Sequence, residues 1–413
     1  MSEQDEDLSA VLHFKGGFDG ASSQSLYKQQ YTDTDLSEAV KNEASLFQTA
    51  IVPLKLTVND ETVWYNSKPS STLFCRPVHL QYKKETKEVT KGEEERLRAE
   101  MENLEVCEVR IKSEDRDLNS ILHCKYKLDL TMFDGKVVNV LTNTLSSQSC
   151  NICSAKPSEM NNLNLVRSKP VNKQALALGL STLHCWIRCF EYIIHLGYKI
   201  ETKSYYARTA EQKDSVARRK NIIQKRFREE LSLLVDMPKQ GFGNTNDGNT
   251  ARRAFEHADI FSDITGVEVE VIIRLRTILR AVCSGYDLDS KPFQQYCQQT
   301  SDEILSNYDW YIIPPSVHKL LEHGVQVAEV LELPIGVYSE EAQEALNKEI
   351  RKARLNHSCK ISRLNVMKNQ YNYLLARSDP IISSISFGKH KTENGKPLPQ
   401  SVLSLLKGVF IYK

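Results

Sequence analysis

The sequence lacks any apolar run long enough to cross a membrane. The longest, residues 175–187, is interrupted by polar side chains and has 13 residues, whereas a transmembrane helix needs about 20. Glycine and proline are also scarce, with 17 and 13 among 413 residues, which excludes collagen-like and low-complexity chains. The sequence therefore predicts a globular chain with no membrane contact.

The chain also has no excess of charge of either sign. Its 54 Lys and Arg residues balance 53 Asp and Glu residues, so a nucleic-acid contact would have to come from a local basic patch. The first eight residues are acidic and have no apolar core, so we expect no secretory signal or transit peptide there. The ten cysteines are therefore not expected to form a disulfide framework.

The pattern of apolar residues divides the chain into three parts. Period-two alternation predicts strands in residues 10–18, 49–58, 62–65 and 121–140. Three-to-four spacing predicts helices in residues 175–196, 220–235, 267–282, 317–332 and 339–354. Residues 83–102, dense in Lys and Glu, are typical of an exposed helix or a mobile excursion. We expect three regions: a sheet-containing domain in 1–144, a helical insertion in 145–325 and a helical segment in 326–413.

Two aspartates lie beside predicted strands. Asp19 follows the first strand-like run and precedes Gly-Ala-Ser-Ser, and Asp134 lies inside the fourth, in Met-Phe-Asp-Gly. Burying a carboxylate is costly unless a cation or a donor compensates it, and two carboxylates on neighbouring strands would hold a hard divalent metal ion. Taken alone, both are equally compatible with ordinary turn aspartates.

A cysteine pair and a histidine pair suggest a metal site. Cys150 and Cys153 form a Cys-x-x-Cys, whose thiolates can chelate zinc, and His318 and His323 would complete a Cys2His2 site. Five residues along a helix correspond to about 140° of rotation, so we expect both imidazoles to reach one ion only if the helix begins or ends between them. A redox dithiol and unrelated buried cysteines remain alternatives. The rival ligands are His184, Cys185 and Cys189.

Charged residues crowd two predicted helices. The first carries a basic cluster that would form a positive stripe, namely Arg218, Arg219, Lys220, Lys225, Arg226 and Arg228. The second combines acidic and basic residues, namely Glu340, Glu341, Glu344, Glu349, Lys348, Arg351, Lys352 and Arg354. Either helix is also compatible with a solvated face, in which residues four apart, such as Glu344 and Lys348, form ion pairs.

In their order and context, these motifs resemble those of the Transib transposases and the catalytic subunit of the V(D)J recombinase, the recombination-activating family. The Phe-Asp-Gly around Asp19 resembles the segment with the family's first catalytic aspartate, and the Phe-Asp-Gly-Lys around Asp134 resembles the second. Residues 339–348 are similar to the stretch that carries the family's catalytic glutamate. Alignment on Asn347 and the lysine after it selects Glu344, with Glu341 as the fallback.

The resemblance runs nearly from end to end and extends to metal and DNA contacts. Cys150, Cys153, His318 and His323 match the family's zinc ligands in spacing and order. Residues 248–253 look like a family segment near the DNA. Together with the basic clusters, this segment gives the residues expected at DNA, which are Arg218, Arg219, Lys220, Asn249, Arg252, Arg253, Lys348, Arg351, Lys352 and Arg354.

The resemblance implies a DDE-type DNA transposase or recombinase acting in the nucleus. Its fold would be α+β, with an RNase H-like core interrupted by a long, mostly helical, zinc-binding insertion. Asp19, Asp134 and Glu344 would hold two Mg²⁺ or Mn²⁺ ions for DNA nicking, hairpin formation and strand transfer, and the zinc ion would be structural. The implied partners are double-stranded DNA, both transposon ends and target, and a second copy in a homodimeric active complex.

Only 18 residues precede Asp19, whereas the family has DNA-end-binding and dimerisation domains before this point. We therefore expect those domains to be missing and the preference for terminal repeats to be weak. Two alternative functions remain. One is a transposase-derived DNA-binding or interaction protein without productive catalysis, and the other is a metal-dependent nuclease of the same fold without transfer activity.

Overall fold

The computed structural model describes residues 6–21, 45–112, 119–239, 243–359, 361–389 and 397–408, so the first five residues of the acidic N-terminal segment lie outside it. The strands of this part are β1 (Glu6–Ala21), β2 (Leu46–Val58), β3 (Glu61–Tyr65), β4 (Arg76–Gln81), β5 (Cys107–Lys112) and β6 (Asn119–Leu130). Its helices are α1 (Lys87–Glu102), α2 (Gly135–Leu141), α3 (Leu163–Arg167), α4 (Lys173–Ala177), α5 (Thr182–Lys199), α6 (Ala210–Leu231), α7 (Gly248–Glu256), α8 (Ala258–Thr265), α9 (Val269–Val282), α10 (Ser290–Tyr308), α11 (Pro315–Val330), α12 (Glu341–Asn356), α13 (Arg363–Arg377), α14 (Pro380–Lys389) and α15 (Gln400–Leu403). These elements confirm the α+β class.

One mixed sheet contains these strands, in the order β3-β2-β1-β6-β5, with β4 also paired to β2. β1 runs antiparallel to β2, with Asp19 opposite Gln48, and parallel to β6, with Gly16 opposite Leu130. At Gly17 a Cβ atom would lie 2.1 Å from the carbonyl oxygen of Met132. Only glycine therefore allows the backbone that follows β6 to approach β1 just before Asp19.

The chain divides into two compact units. Unit 1 comprises Met1–Phe133 and Glu340–Asn394, and unit 2 comprises Asp134–Ser339 and Gly395–Lys413. These limits differ from the boundaries expected at residues 144 and 325. Much of the last expected segment belongs with the sheet because α12 contacts β1 and α13 contacts β4.

Buried aromatic rings fix the part of unit 1 that leads to both aspartates. The ring of Phe18 lies 5.7 Å from that of Phe47 and 4.8 Å from that of Phe133, and all three side chains are buried. Aromatic pairs of this kind contribute about 0.5–1.5 kcal/mol beyond their burial. The residues immediately before Asp19 and Asp134 therefore belong to one packed core.

The strand predicted for residues 121–140 is wrong in its second half. β6 ends at Leu130, and Asp134 is the N-cap of α2 instead of lying within a strand. One carboxylate oxygen of Asp134 accepts a hydrogen bond from the backbone N–H of Val137 at 2.8 Å. An aspartate N-cap typically stabilises a helix by about 1 kcal/mol, and here it outweighs the strand preference of the valines that follow.

The Lys- and Glu-rich segment at residues 83–102 contains a helix, α1, with one buried face. Glu93 and Leu97 are buried on that face. Burial raises the pKa of Glu93, but hydrogen bonds from Arg96 and Thr49 outweigh this effect and lower it overall. Because Thr49 lies on β2, α1 is bound to the sheet and is not a mobile excursion.

Unit 2 is helical and has a large core around α5. The ring of Phe190 packs on those of Phe227 and Phe261, at 5.9 and 5.6 Å. The single helix expected at residues 175–196 is interrupted, because Gly179 adopts a positive φ of 74° between α4 and α5. All ten cysteines are free thiols. In the described part of the chain, none of the helices combines the length and apolar character needed to cross a bilayer.

Candidate metal centre

Cys150, Cys153, His318 and His323 come together in unit 2. One potential ligand atom from each residue lies within 4.8 Å of the other three, and all four side chains are buried. The Sγ atom of Cys153 is 3.3 Å from Nε2 of His318. Two sulfurs and two imidazole nitrogens are the donor set of many structural zinc sites. The cluster can therefore hold a metal ion such as zinc.

A tight backbone turn presents the two thiols. The N–H of Ile152 donates to Sγ of Cys150 at 3.4 Å. The N–H of Ser154 donates to the carbonyl oxygen of Cys150, and the N–H of Cys150 donates to that of Ala155, both at 2.9 Å. Ser154 adopts a positive φ of 58°, which closes the turn. The backbone between the two cysteines therefore folds around the position where an ion would bind.

His318 and His323 both lie within α11, which is continuous through both residues. The expectation that this helix begins or ends between them is therefore wrong. Their rings form a T-shaped pair with centroids 5.1 Å apart. The ring nitrogens are several bonds from the backbone, and this reach compensates for the angle between the two side chains on the helix.

The second nitrogen of His323 is fixed by a neighbour on the same helix. Nδ1 lies 2.7 Å from Oε1 of Gln326, and because an amide oxygen only accepts, the proton is on Nδ1. Nε2 is buried, and within the described residues it makes no hydrogen bond. A buried nitrogen without such a partner is costly, and a metal ion would satisfy it. Gln326 thus acts as the outer partner that commonly orients a histidine ligand.

Electrostatics prepare one thiol for metal binding. The hydrogen bond with Cys153 lowers the pKa of Cys150, and His318 and His323 lower it further, against the opposite effect of burial. The same interaction raises the pKa of Cys153. Burial lowers the pKa of His323, but the adjacent Cys150 and Gln326 raise it overall. Because thiolates are the metal-binding form, the lowered pKa of Cys150 favours metal binding, and a bound cation would lower the pKa of Cys153 as well.

The rival ligands lie outside this cluster. Nδ1 of His184 is 2.8 Å from the hydroxyl of Ser181. Cys185 and Cys189 are buried in the apolar core of unit 2, and burial raises the pKa of Cys189 well above its ordinary value. An inert core thiol is the simplest description of Cys189.

Asp19 lies near the end of β1 in unit 1, where α12 binds it through an amide. Nδ2 of Asn347 donates to Oδ2 of Asp19 at 2.7 Å. Nε2 of Gln48 donates to Oδ1 of the same asparagine at 2.6 Å. Because the oxygen of Asn347 is bound by Gln48, its nitrogen must point toward Asp19.

Gln343 fixes the same helix to the backbone of β1. With its amide oriented to satisfy both ends, its oxygen accepts from the N–H groups of Phe18 at 3.1 Å and Asp19 at 2.9 Å, and its nitrogen donates to the carbonyl of Met132 at 3.0 Å. The side chain is only 2% exposed. Gln343 therefore replaces the strand pairing that β1 loses where β6 ends.

Three glutamates at the start of α12 differ in exposure. Glu340 is buried, Glu341 is half-buried and Glu344 is exposed. Glu344 precedes Asn347 by three residues and so lies on the same side of the helix. Glu341 precedes Asn347 by six residues and is rotated from it by about 120° around the helix axis. The helix thus places Glu344 beside the amide that binds Asp19.

A buried lysine lies on the same strand as Asp19. Lys15 is fully buried, and this burial lowers its pKa to about 7, although Cys75, Glu340 and Glu341 act in the opposite direction. Burial raises the pKa of Cys75 to about 12. Near neutral pH the amine is therefore partly uncharged in the folded protein.

The residues predicted to contact DNA differ in exposure. The exposed ones are Arg218, Asn249, Arg253, Lys348 and Lys352. The half-buried ones are Arg219, Lys220, Arg252 and Arg351.

Several of these side chains have structural partners. Arg219 donates to the carbonyl oxygen of Thr265 at 2.9 Å, and Nζ of Lys220 lies 3.0 Å from a carboxylate oxygen of Asp236. Arg354 is only 3% exposed. The guanidinium of Arg354 lies near the ring of Tyr82 at the end of α12, so little of it is accessible to a phosphate.

Sequence reasoning missed Gln48, Gln343 and Gln326. Gln343 and Asn347 are four residues apart, so they share a face of α12 with the buried apolar residues. Polar amides on an apolar helix face were the available signal for Gln343. Gln48 directly precedes a strand-like run, where a buried glutamine is not distinguishable from an exposed one.

Two comparisons with known proteins return nothing for this chain. A scan against protein-family models finds no match, and a search of curated proteins finds no significant match.

Proposed function

We propose that this protein is a DDE-type DNA transposase or recombinase that cuts and joins DNA with divalent metal ions. The observation that carries the proposal is the hydrogen bond from Asn347 to Asp19, which holds the helix bearing Glu344 against the strand bearing Asp19. The family resemblance adds Asp134 as the third acid. Asp19 lies near the end of β1, Asp134 is the N-cap of α2, and Glu344 lies in the first turn of α12.

The sheet order supports an RNase H-like core. β1, β2 and β3 are consecutive antiparallel neighbours, and the chain then passes through β4, α1 and the edge strand β5 before β6 pairs parallel to β1. Asp19 lies near the end of β1, and Asp134 follows the end of β6 by four residues. Two acids close to the ends of adjacent parallel strands are what the resemblance implies for this fold.

The donor set fits hard divalent cations, because Mg²⁺ and Mn²⁺ prefer carboxylate oxygens. Asp19, Asp134 and Glu344 would hold the ions, and Asn347 fixes the plane of the Asp19 carboxylate by binding Oδ2. Two bound ions would supply activation of the attacking oxygen and stabilisation of the charge that develops at phosphorus and at the leaving oxygen.

Exposed lysines continue from Glu344 along α12. Lys348 and Lys352 follow at intervals of four residues and are exposed, so all three side chains lie along one side of the helix. Lysines in this position would bind backbone phosphates and hold a DNA strand beside the acids, without reading its sequence.

The Cys2His2 cluster serves a structural role in this proposal, with zinc as its ion. Its two cysteines come from a turn near the start of unit 2 and its two histidines from α11. Cys153 and His318 are 165 residues apart in the sequence. Binding free energy at such a site is largely folding free energy. Zinc would therefore hold two distant segments of unit 2 together.

The products formed on labelled duplex DNA test the proposal against its alternatives. A duplex carrying transposon ends is incubated with the protein and Mg²⁺ or Mn²⁺, and the products are analysed on denaturing gels. We expect nicked strands, hairpin ends and products joined to target DNA. Nicks without hairpins or joined products would indicate a nuclease, and binding without cleavage would indicate a DNA-binding protein.

A further inference from the structure

We infer that Gln48 and Asn347 form a relay that orients the Asp19 carboxylate for metal binding. This inference rests on the proposed function, because it assigns to two amides a role at the site where Asp19 would bind a divalent cation. Both residues are positioning residues, and neither is a proposed metal ligand.

The geometry defines the direction of the relay. Gln48 lies directly opposite Asp19 in the pairing of β1 with β2, and its side chain is fully buried. Its amide nitrogen donates to Oδ1 of Asn347 at 2.6 Å and lies 3.5 Å from the backbone carbonyl oxygen of Gln343. Because a backbone carbonyl oxygen only accepts, the contact with Gln343 requires the nitrogen end of Gln48 to face α12, which fixes its orientation.

The fixed amide of Gln48 determines which end of Asn347 faces Asp19. If the amide of Asn347 were reversed, its nitrogen would face the nitrogen of Gln48 and its oxygen would face the Asp19 carboxylate. Both encounters are repulsive, and the second would involve a charged group. The observed orientation instead places a donor 2.7 Å from Oδ2 of Asp19. Charge-assisted hydrogen bonds of this kind are stronger than neutral ones.

A carboxylate held in one plane presents its oxygens to a cation in a fixed direction. Outer partners of metal ligands commonly change metal affinity by about 10–100-fold when they are removed. We therefore expect N347L, which keeps the side-chain volume but removes the donor, to weaken Mn²⁺ binding by about 10–100-fold. The rate at saturating Mn²⁺ should change much less, because the ligands themselves remain.

In this relay Gln48 acts on Asp19 through Asn347. The effect of replacing Gln48 therefore depends on whether Asn347 is present. Q48M removes the amide and keeps most of the volume, so it should weaken Mn²⁺ binding in the wild-type background. In the N347L background it should have no further effect, because the group it orients is absent. Such non-additivity is the signature of two residues acting in series.

The test is a Mn²⁺ titration of the zinc-loaded full chain followed by electron paramagnetic resonance. The variants are D19N, N347L, N347A, Q48M and the double variant Q48M/N347L. The matched control is N356A, which removes an exposed asparagine at the end of the same helix. Thermal unfolding confirms that each variant is folded, and N347A replaces N347L if the latter is not.

The outcomes separate the relay from the proposed function. We expect D19N to abolish a Mn²⁺ site, N347L and Q48M to weaken it, and N356A to leave it unchanged. If D19N leaves Mn²⁺ binding intact, the proposed function itself is wrong. If D19N abolishes the site but N347L and N347A bind Mn²⁺ like N356A, only the relay is wrong. Additive effects of Q48M and N347L would also overturn it.

Discussion

Asn347 donates a hydrogen bond to Asp19 at 2.7 Å, although the two residues are 328 positions apart in the chain. This contact joins the first strand of unit 1 to a helix that the chain reaches only after residues 134–339 of unit 2. Gln343 adds a second attachment, to the backbone of β1 itself. The acidic residues of α12 therefore have a defined position relative to Asp19.

Glu344 rather than Glu341 should supply the helical carboxylate of the metal site. Glu344 lies on the side of α12 that carries Asn347, whereas Glu341 is rotated away by about 120°. We expect E344Q to abolish metal-dependent cleavage and E341Q to retain most of it, measured on the same duplex DNA. The opposite result would assign the third ligand to Glu341.

Zinc should stabilise unit 2 through the Cys2His2 cluster. We expect about one zinc ion per chain by elemental analysis, and its loss in C150S because a hydroxyl is a poor replacement for a thiolate ligand. The free energy of unfolding should fall by about 4 kcal/mol or more, because loss of a structural metal is one of the few single changes that destabilise a protein this strongly. The control is H184A, which alters a rival ligand outside the cluster and should keep its zinc. Full zinc content in C150S would contradict the assignment.

Burial of Lys15 should make stability depend on pH. Its pKa is lowered to about 7 in the folded protein, so between pH 7 and about 10.5 the unfolded chain binds more protons than the folded chain. Stability therefore rises with pH across this range, and the cost of burying the amine is largest below pH 7. Among the described residues, the groups that act on this amine include Cys75, Glu340 and Glu341.

Replacing Lys15 with methionine isolates this effect. We expect K15M to be more stable than wild type by a few kcal/mol at pH 7, because one pKa unit corresponds to about 1.4 kcal/mol. The difference should shrink as the pH approaches 10. Urea unfolding of both proteins at four pH values measures it, and two parallel pH profiles would show that Lys15 does not titrate as described.

Lys348 and Lys352 should contribute to sequence-independent DNA binding. Each contacted phosphate contributes about 0.9 to the slope of log affinity against log salt, so the double variant K348A/K352A should reduce that slope by about 2. Fluorescence anisotropy of a labelled duplex at several salt concentrations gives the slope. K407A, which removes an exposed lysine of unit 2, is the control, and an equal loss in that variant would contradict the assignment.

The local pattern of the sequence predicted most of the regular elements. β1 to β3, α9, α11 and α12 all overlap the predicted segments, although every residue of β3 is exposed. β5 was not predicted, although Cys107, Val109 and Ile111 alternate with charged residues in its sequence; it is an edge strand whose residues 107–111 are exposed. The second half of 121–140 was wrong because the N-cap Asp134 begins a helix in a valine-rich segment.

The residues of the candidate sites were also predicted only in part. The residue types and order at Cys150, Cys153, His318 and His323 predicted a metal site, and the structure brings these four side chains together. The role of Gln48 could not be predicted, because it depends on contacts with α12 across about 300 positions. Such contacts follow from tertiary packing and leave no periodic signal in the sequence.

The most direct test of the central claim is metal-dependent nicking of supercoiled DNA by the wild type and by D19N. The account predicts nicking that requires Mg²⁺ or Mn²⁺ and falls by about a thousandfold or more in D19N, because a lost metal ligand removes several kcal/mol of transition-state stabilisation. The control is D60N, which alters an exposed turn aspartate of the same unit and should nick like wild type. Undiminished nicking by a folded D19N protein would contradict the account.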